Sequence, residues 1–392
     1  MTSTLFSPLD VRGLRLANRL WIAPMCQYSV EDENGVPTDW HLVHLGSLAR
    51  GGAGLVLTEA TAVSPEGRIS PQDTGIWTDE QAAAWTRIVD FAHGVGTPIG
   101  IQLAHAGRKA STWRPWAEHT GTVPADQGGW QPVAPSALPF PGYGAPSALD
   151  EAGIARVVAD FASAAVRAVG AGFDVLELHA AHGYLMHQFL SPLSNARTDA
   201  YGGPLENRAR LLLEVVRAVR AAVPATPLFV RLSGTDWLEG GWTIEETVTV
   251  SGWAREAGAD FFDVSSGGNV TAPIPLGPGY QVPLAEAVHA AGLPASAVGH
   301  IQSAEQAEEI VATGRADAVM VARAALRDPH FPLAAATELG ADIVWPVQYE
   351  RARPRRAEPV SGLRSACAAS VIRPTAAAGR PAARTAAASG TW

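Results

Sequence analysis

Eight short β-rich apolar runs recur along the chain, each separated from the next by a longer amphipathic stretch, and this repeat restricts the fold more than any other feature. The runs are Leu20–Met25, Leu55–Thr61, Pro98–Ala104, Asp174–His179, Pro227–Ser233, Phe261–Ser266, Ala297–Ile301 and Ala318–Ala322. Strands alternating with helices build a parallel sheet, because each parallel strand needs a crossover to bring the chain back to the same end. Eight is the number at which such a sheet closes, so the pattern predicts an α/β protein of the (β/α)8 TIM-barrel type. Small residues and Gly mark the turns that feed the strands, as in Ala168-Val-Gly-Ala-Gly-Phe173, Ala254–Ala259 and Ala312-Thr-Gly-Arg-Ala316. Gly51-Gly-Ala-Gly54 and Gly94-Val-Gly96 precede strands instead of opening helices, so they read as turns of the same kind and not as dinucleotide loops. Pro204 suits the first position of a helix continuing through Arg220.

Two segments break the rhythm. Arg108–Leu149, rich in Pro, Gly and Trp, follows the third strand and is expected to form a lid over the barrel mouth. From Arg351 onward there are eight arginines against the single acid Glu358, among many Ala, Pro and Gly. One domain is therefore expected over 1–351, followed by a disordered extension over 352–392 that is either solvated or docks on an acidic partner. With 392 residues and 47% hydrophobic side chains, the chain can bury one large core. A net charge of −9 argues against a nucleic-acid or anionic-membrane partner, leaving small-molecule chemistry. No membrane-spanning run and no signal-like N-terminus is present, so the expected location is cytoplasmic. Cys26 and Cys367 are too few for a disulfide framework or an iron–sulfur cluster, so any redox cofactor should be organic.

Catalytic groups of such barrels gather at the C-terminal ends of the strands. Here those ends are polar: Ala23-Pro-Met-Cys-Gln-Tyr28 on the first, Gln102 and His105 on the third, His179-Ala-Ala-His-Gly-Tyr184 on the fourth, and Arg231 on the fifth. His179 and His182 are three apart and would face opposite sides of a continuing strand. A turn there would let both imidazoles polarise one oxygen, with Tyr184 supplying a proton. A zinc site would need a further protein ligand that the spacing does not offer, and two histidines that only satisfy the barrel rim are the plain alternative.

Ala23–Tyr28, Gly100-Ile-Gln-Leu-Ala-His-Ala-Gly-Arg-Lys109, His179–Tyr184 and Arg197-Thr-Asp-Ala-Tyr-Gly-Gly-Pro-Leu-Glu-Asn-Arg208 occur in an order and spacing that resembles the Old Yellow Enzyme family. The likeness is to its bacterial, thermophilic-like branch, which includes xenobiotic reductases, and it covers about residues 5–351. It implies an FMN-dependent ene-reductase that takes hydride from NADPH or NADH and delivers it to activated C=C bonds in ping-pong fashion. Residue by residue, it implies that Ala23, Pro24, Met25, Cys26, Ala60 and Gln102 contact the flavin ring, with Cys26 tuning its potential and Arg231 placing charge near its N1 and O2. It further implies that His179 and His182 hold the substrate oxygen, that Tyr184 donates the proton and that Tyr28 lines the substrate pocket. Gly299, Ala322 and Arg323 stand where phosphate donors are expected, although the family pattern has Gly-Arg in place of Ala322-Arg323. Pro346-Val-Gln-Tyr-Glu-Arg351 resembles the branch's C-terminal segment, which implies that Arg351 reaches a neighbouring subunit's site in a homodimer or higher homo-oligomer. A barrel that only stores FMN, and a flavin-free aldolase or isomerase, are the competing readings; the latter would need a Schiff-base lysine, and Lys109 is the one candidate.

Overall fold

A computed structural model describes residues 3–354. The expected extension over 352–392, apart from its first three residues, and Cys367 lie outside the described residues. Residues up to Pro346 form one compact unit; a 3-10 turn, Val347–Ala352, belongs to a second.

Eight parallel strands close into a barrel in sequential order: β1 (Leu20–Ile22), β2 (Val56–Ala62), β3 (Ile99–Ala104), β4 (Val175–Ala180), β5 (Leu228–Ser233), β6 (Phe261–Ser265), β7 (Ala295–Ala297) and β8 (Ala318–Val321). The crossovers carry α1 (Asp39–Ala49), α2 (Asp79–Gly94), α3 (Glu151–Gly170), α4 (Arg210–Ala222), α5 (Ile244–Ala257), α6 (Val282–Ala290) and α7 (Ala304–Ala312), and α8 (Phe331–Glu338) follows β8. Thr38, Thr78, Asp150, Thr243 and Ser303 cap α1, α2, α3, α5 and α7 by accepting from first-turn backbone N–H groups that no helical carbonyl can reach.

Two expectations shift. β7 lies at Ala295–Ala297 rather than Ala297–Ile301, because Gly299 and His300 adopt positive φ and end the extended run. The helix expected from Pro204 through Arg220 runs as two segments, Leu205–Arg208 and Arg210–Ala222, joined through a right-handed Ala209 whose N–H still donates to Leu205 O, and the buried Arg208 guanidinium reaches sideways to Leu190 O, Gly203 O and Glu246.

The barrel interior is layered. At its N-terminal end Trp21, Phe229 and Phe261 pack together, Phe229 and Phe261 stacked at 4.8 Å, and Val11 and Leu16 of a small N-terminal hairpin join the same cluster. Above them the register aligns Ala60, Gln102 and Glu177 across β2–β4, and His179, Arg231 and Asp263 across β4–β6. The polar layer therefore rises toward the C-terminal mouth. The lid over 108–149 is tied to that face: Arg114 bonds Glu31 and Tyr28 O, Arg108 bonds Asn269, and Arg197 bonds Pro135 O and Leu149 O.

At the opposite end one device recurs three times. Asp174, Asp260 and Asp317, each just before β4, β6 or β8, accept the backbone N–H of Ile99, Leu228 and Ala295 on the preceding strand. Each also pairs with a side chain from a helix, His93 of α2, Arg220 of α4 and His289 of α6. Asp260 is the most buried and holds Arg12 as well, at 3.0 Å. Asp260→Ala would strand a buried N–H and a half-buried guanidinium, and is expected to cost about 2–4 kcal/mol. Thermal melts should show it losing more than Asp174→Ala or Asp317→Ala; the reverse ranking would mean that burial does not set the strength of these links.

Candidate active site

β4 carries His179 inward and ends at Ala180; the chain then turns through left-handed conformations at His182 (φ 57°) and Gly183 (φ 72°). Only Gly fits at 183, since a Cβ there would lie 2.2 Å from Gly268 O. The turn is fixed by His182 N–H donating to Ser233 Oγ at 2.9 Å and Gly183 N–H donating to His187 Nδ1 at 2.9 Å. His187 pairs in turn with Asp236 at 3.1 Å, both fully buried. Burial alone would raise the Asp236 carboxyl, but His187, Ser191 and Trp242 N–H outweigh it and hold it at about 2.

The expected convergence of the two imidazoles is present. His179 Nε2 and His182 Nδ1 lie 3.4 Å apart with ring planes at 86°. Burial first, and then the Arg231 guanidinium, push both rings well below their ordinary value, so both are neutral at pH 7. The Ala181 N–H points at His179 Nδ1 at 3.3 Å, which places that ring's proton on Nε2. His182 Nε2 lies 2.6 Å from Ser265 Oγ, whose hydroxyl also donates to Gln281 Oε1 at 3.3 Å; when that hydroxyl turns to His182 Nε2 instead, the ring's own proton sits on Nδ1, beside the His179 donor. Two N–H groups can then address one oxygen. The Tyr184 ring stands 4.9 Å from the His179 ring, and burial, followed by nearby Cys26 and Asp73, pushes its phenol well above 10, so it keeps its proton.

On the first strand Ala23 is buried while Pro24, Met25 and Cys26 are half-buried. The loop is anchored where Gln27 N–H donates to Glu59 Oε2 at 2.9 Å, Glu59 being paired with buried His41. Burial, Asp73 and Glu59 raise Cys26, leaving it a thiol. Cys26, Tyr28, Ala60 and Tyr184 share one cluster, with Tyr28 at φ 48°. Gln102 donates to Glu177 Oε1 at 2.7 Å, and Arg231 pairs with Asp263 at 2.8 Å. Burial and then the Asp263 carboxylate push Glu177 up to about 8, and its Oε2 has no partner. Beyond β7 and β8, Gly299 adopts φ 115° and Arg323 acts electrostatically on His300. Ala322 has φ −118°, so the Ala in place of the family's Gly meets no left-handed strain. Arg351 is exposed in the turn Val347–Ala352.

The residue types suit a flavin. Small Ala23 and Ala60 leave room for a flat ring, the Gln102 amide can both donate and accept, Arg231 offers charge, and Glu177 has a spare buried oxygen. Sequence reasoning did not reach His187, Asp236, Ser233, Ser265, Glu177, Glu59 or His41. They are supports brought in from other strands, and only the closely spaced histidines 179, 182 and 187 hinted at one of them.

Residues 4–341 match the model of the NADH:flavin oxidoreductase / NADH oxidase family. The chain belongs to that family. It is an FMN-dependent oxidoreductase of the Old Yellow Enzyme kind, working with FMN and a nicotinamide. It is 46% identical over 353 residues to an NADPH dehydrogenase of Halalkalibacterium halodurans, covering 90% of this chain and 99% of that protein. An NADPH dehydrogenase of Listeria monocytogenes is 47% identical, with 89% and 99% covered. Among solved structures, morphinone reductase superposes with TM-score 0.71 at 32% identity, covering 88% of this chain and 91% of that one. A 2-naphthoyl-CoA reductase complex gives TM-score 0.78 at 27% identity over 88% of this chain, which spans only 53% of that larger protein. Among the described residues of this family member, no helix is long and apolar enough to cross a membrane.

The neutral histidine pair has a consequence for stability. Folding lowers both rings, so the unfolded chain binds the extra protons once pH falls below the ordinary value of 6.5. Stability should therefore decline below that pH and be insensitive to the pair above it. Urea midpoints at pH 5 and 7.5 should differ less in a His179→Asn/His182→Asn double variant than in the wild type; an unchanged difference would place the acid sensitivity elsewhere.

Proposed function

We propose that this chain is an NADPH-dependent ene-reductase acting on activated C=C bonds of α,β-unsaturated carbonyl, maleimide or nitro compounds in ping-pong fashion. The observation that carries the reading is the meeting of His179, His182 and Tyr184 at one mouth. Bound FMN would supply the redox chemistry, accepting hydride from the nicotinamide and passing it to the alkene β-carbon. Reduction of such an alkene builds negative charge on its activating oxygen, and the His179 and His182 N–H groups bind that oxygen more tightly as the charge grows. Tyr184, held as a neutral phenol, delivers the proton to the α-carbon.

In this reading Ala23, Pro24, Met25, Cys26, Ala60 and Gln102 surround the flavin ring, with Cys26 tuning it. Arg231 would place positive charge beside the ring, and Gly299, Ala322 and Arg323 would hold the phosphate. Tyr28 lines the substrate pocket. Arg351 completes the neighbouring subunit's site in a homodimer or higher homo-oligomer located in the cytoplasm, while residues 1–351 act as the catalytic domain and 352–392 as an extension. The likeness to NADPH dehydrogenases and to morphinone reductase supports the donor and the reductase class.

Anaerobic mixing tests the reading: NADPH should bleach the flavin absorbance and 2-cyclohexenone or a maleimide should restore it. A barrel that only stores FMN would do neither. Tyr184→Phe is expected to slow the second half-reaction about 100-fold while leaving flavin reduction within about twofold. Equal damage to both halves would remove Tyr184 from proton delivery. His179→Ala should weaken a phenolic ligand titrated by its charge-transfer band, and an unchanged dissociation constant would displace His179 from the substrate.

A further inference from the structure

Of the 29 basic side chains in this chain, 28 are arginine and a single one is lysine, Lys109. A chain that uses arginine wherever else it places a permanent positive charge keeps lysine at the barrel mouth, which marks 109 as a position where a compact ammonium and a planar guanidinium are not equivalent. The geometry supplies the reason. The turns after β4 and β6 meet backbone to backbone: a Cβ on Gly183 would sit 2.2 Å from Gly268 O, and one on Gly268 would sit 2.6 Å from His182 O. This approach aims the carbonyl oxygens of His182 and Gly268 at one point, where their dipoles repel. Lys109 Nζ occupies that point, donating to His182 O at 2.9 Å and to Gly268 O at 3.0 Å.

The same ammonium lies 5.0 Å from the Tyr184 ring centroid and 4.9 Å from that of Phe140 in the lid. Neither hydrogen-bond partner is a carboxylate, and burial, followed by adjacent Arg108, pushes the amine down to about 8. One cation thus touches the histidine turn, the loop after β6, the lid and the proposed proton donor.

We propose that Lys109 is a positioning residue for the reduction step: its ammonium pins the left-handed His182 turn against Gly268 and stands over the Tyr184 ring, fixing the imidazole donor and the phenol relative to each other. A cation over the ring also stabilises the negative charge that Tyr184 acquires as its proton leaves. An arginine is longer and spreads its charge over a planar fork, so at this position it would not place one compact cation between the two carbonyls and the two rings. The inference rests on the ene-reductase reading above.

The test uses the full-length FMN-loaded protein, reduced with NADPH and reoxidised anaerobically by 2-cyclohexenone or by ferricyanide, which takes no proton from Tyr184. Lys109→Met and Lys109→Arg are both expected to slow reoxidation by 2-cyclohexenone about tenfold or more, with ferricyanide reoxidation unchanged within about twofold. A rate in Lys109→Arg close to the wild type would overturn the proposal, as would a wild-type rate in Lys109→Met. If the wild type itself is not reoxidised by 2-cyclohexenone, the ene-reductase reading fails and not the clamp. Should neither variant retain FMN, wild-type protein labelled with [15Nζ]lysine decides: the sole ammonium signal is expected to shift when p-hydroxybenzaldehyde is added, and a signal that stays put contradicts the assignment.

Discussion

One turn sets the geometry of the mouth. At His182 and Gly183 the backbone leaves β4 in left-handed conformations, which a β strand cannot continue through and which a non-glycine residue adopts only at a cost. The surroundings over-determine it: Ser233 Oγ and His187 Nδ1 take its two N–H groups, Lys109 takes the His182 carbonyl, and Gly268 lies where any side chain on 183 would have to go. Without that turn His182 would face away from His179, and no pair of donors would exist.

The layering of the barrel explains how so polar a mouth is tolerated. Aromatic packing at the N-terminal end, together with the aspartates that tie neighbouring strands to helices, carries stability at the face remote from the chemistry. The charged layer above it is paired nearly throughout, Arg231 with Asp263 and Gln102 with Glu177. Glu177 Oε2 is among the buried polar atoms there that are left without a hydrogen-bond partner, and His105 Nε2 is another. Such exceptions concentrate where a fold sacrifices satisfaction for function.

Much of this was legible in the sequence because the signals are local. Apolar runs bounded by Gly turns located every barrel strand except β7, and the odd spacing of His179 and His182 required the turn that the structure contains. β7 was misplaced because Val298 and Ile301 look like strand residues while the φ of Gly299 and His300 is not written in hydropathy. The supports of the site were illegible for a different reason. Glu59 with His41, His187 with Asp236, and Lys109 with Gly268 are pairs separated in sequence that meet only after the barrel closes. Ala322, which stands where the family pattern has Gly, avoids the left-handed region with φ −118°, although its ψ of −85° lies outside the helical and extended ranges.

The central claim is geometric, that both imidazoles and the phenol address the same ligand over one flavin. A crystal structure of the FMN-loaded protein soaked with p-hydroxybenzaldehyde tests it most directly. The account requires one ligand oxygen within about 3 Å of His179 Nε2 and of His182 Nδ1, with the ligand ring parallel to the flavin and the Tyr184 hydroxyl on its far side. A ligand oxygen bound elsewhere, or either imidazole turned out of the mouth, would contradict it.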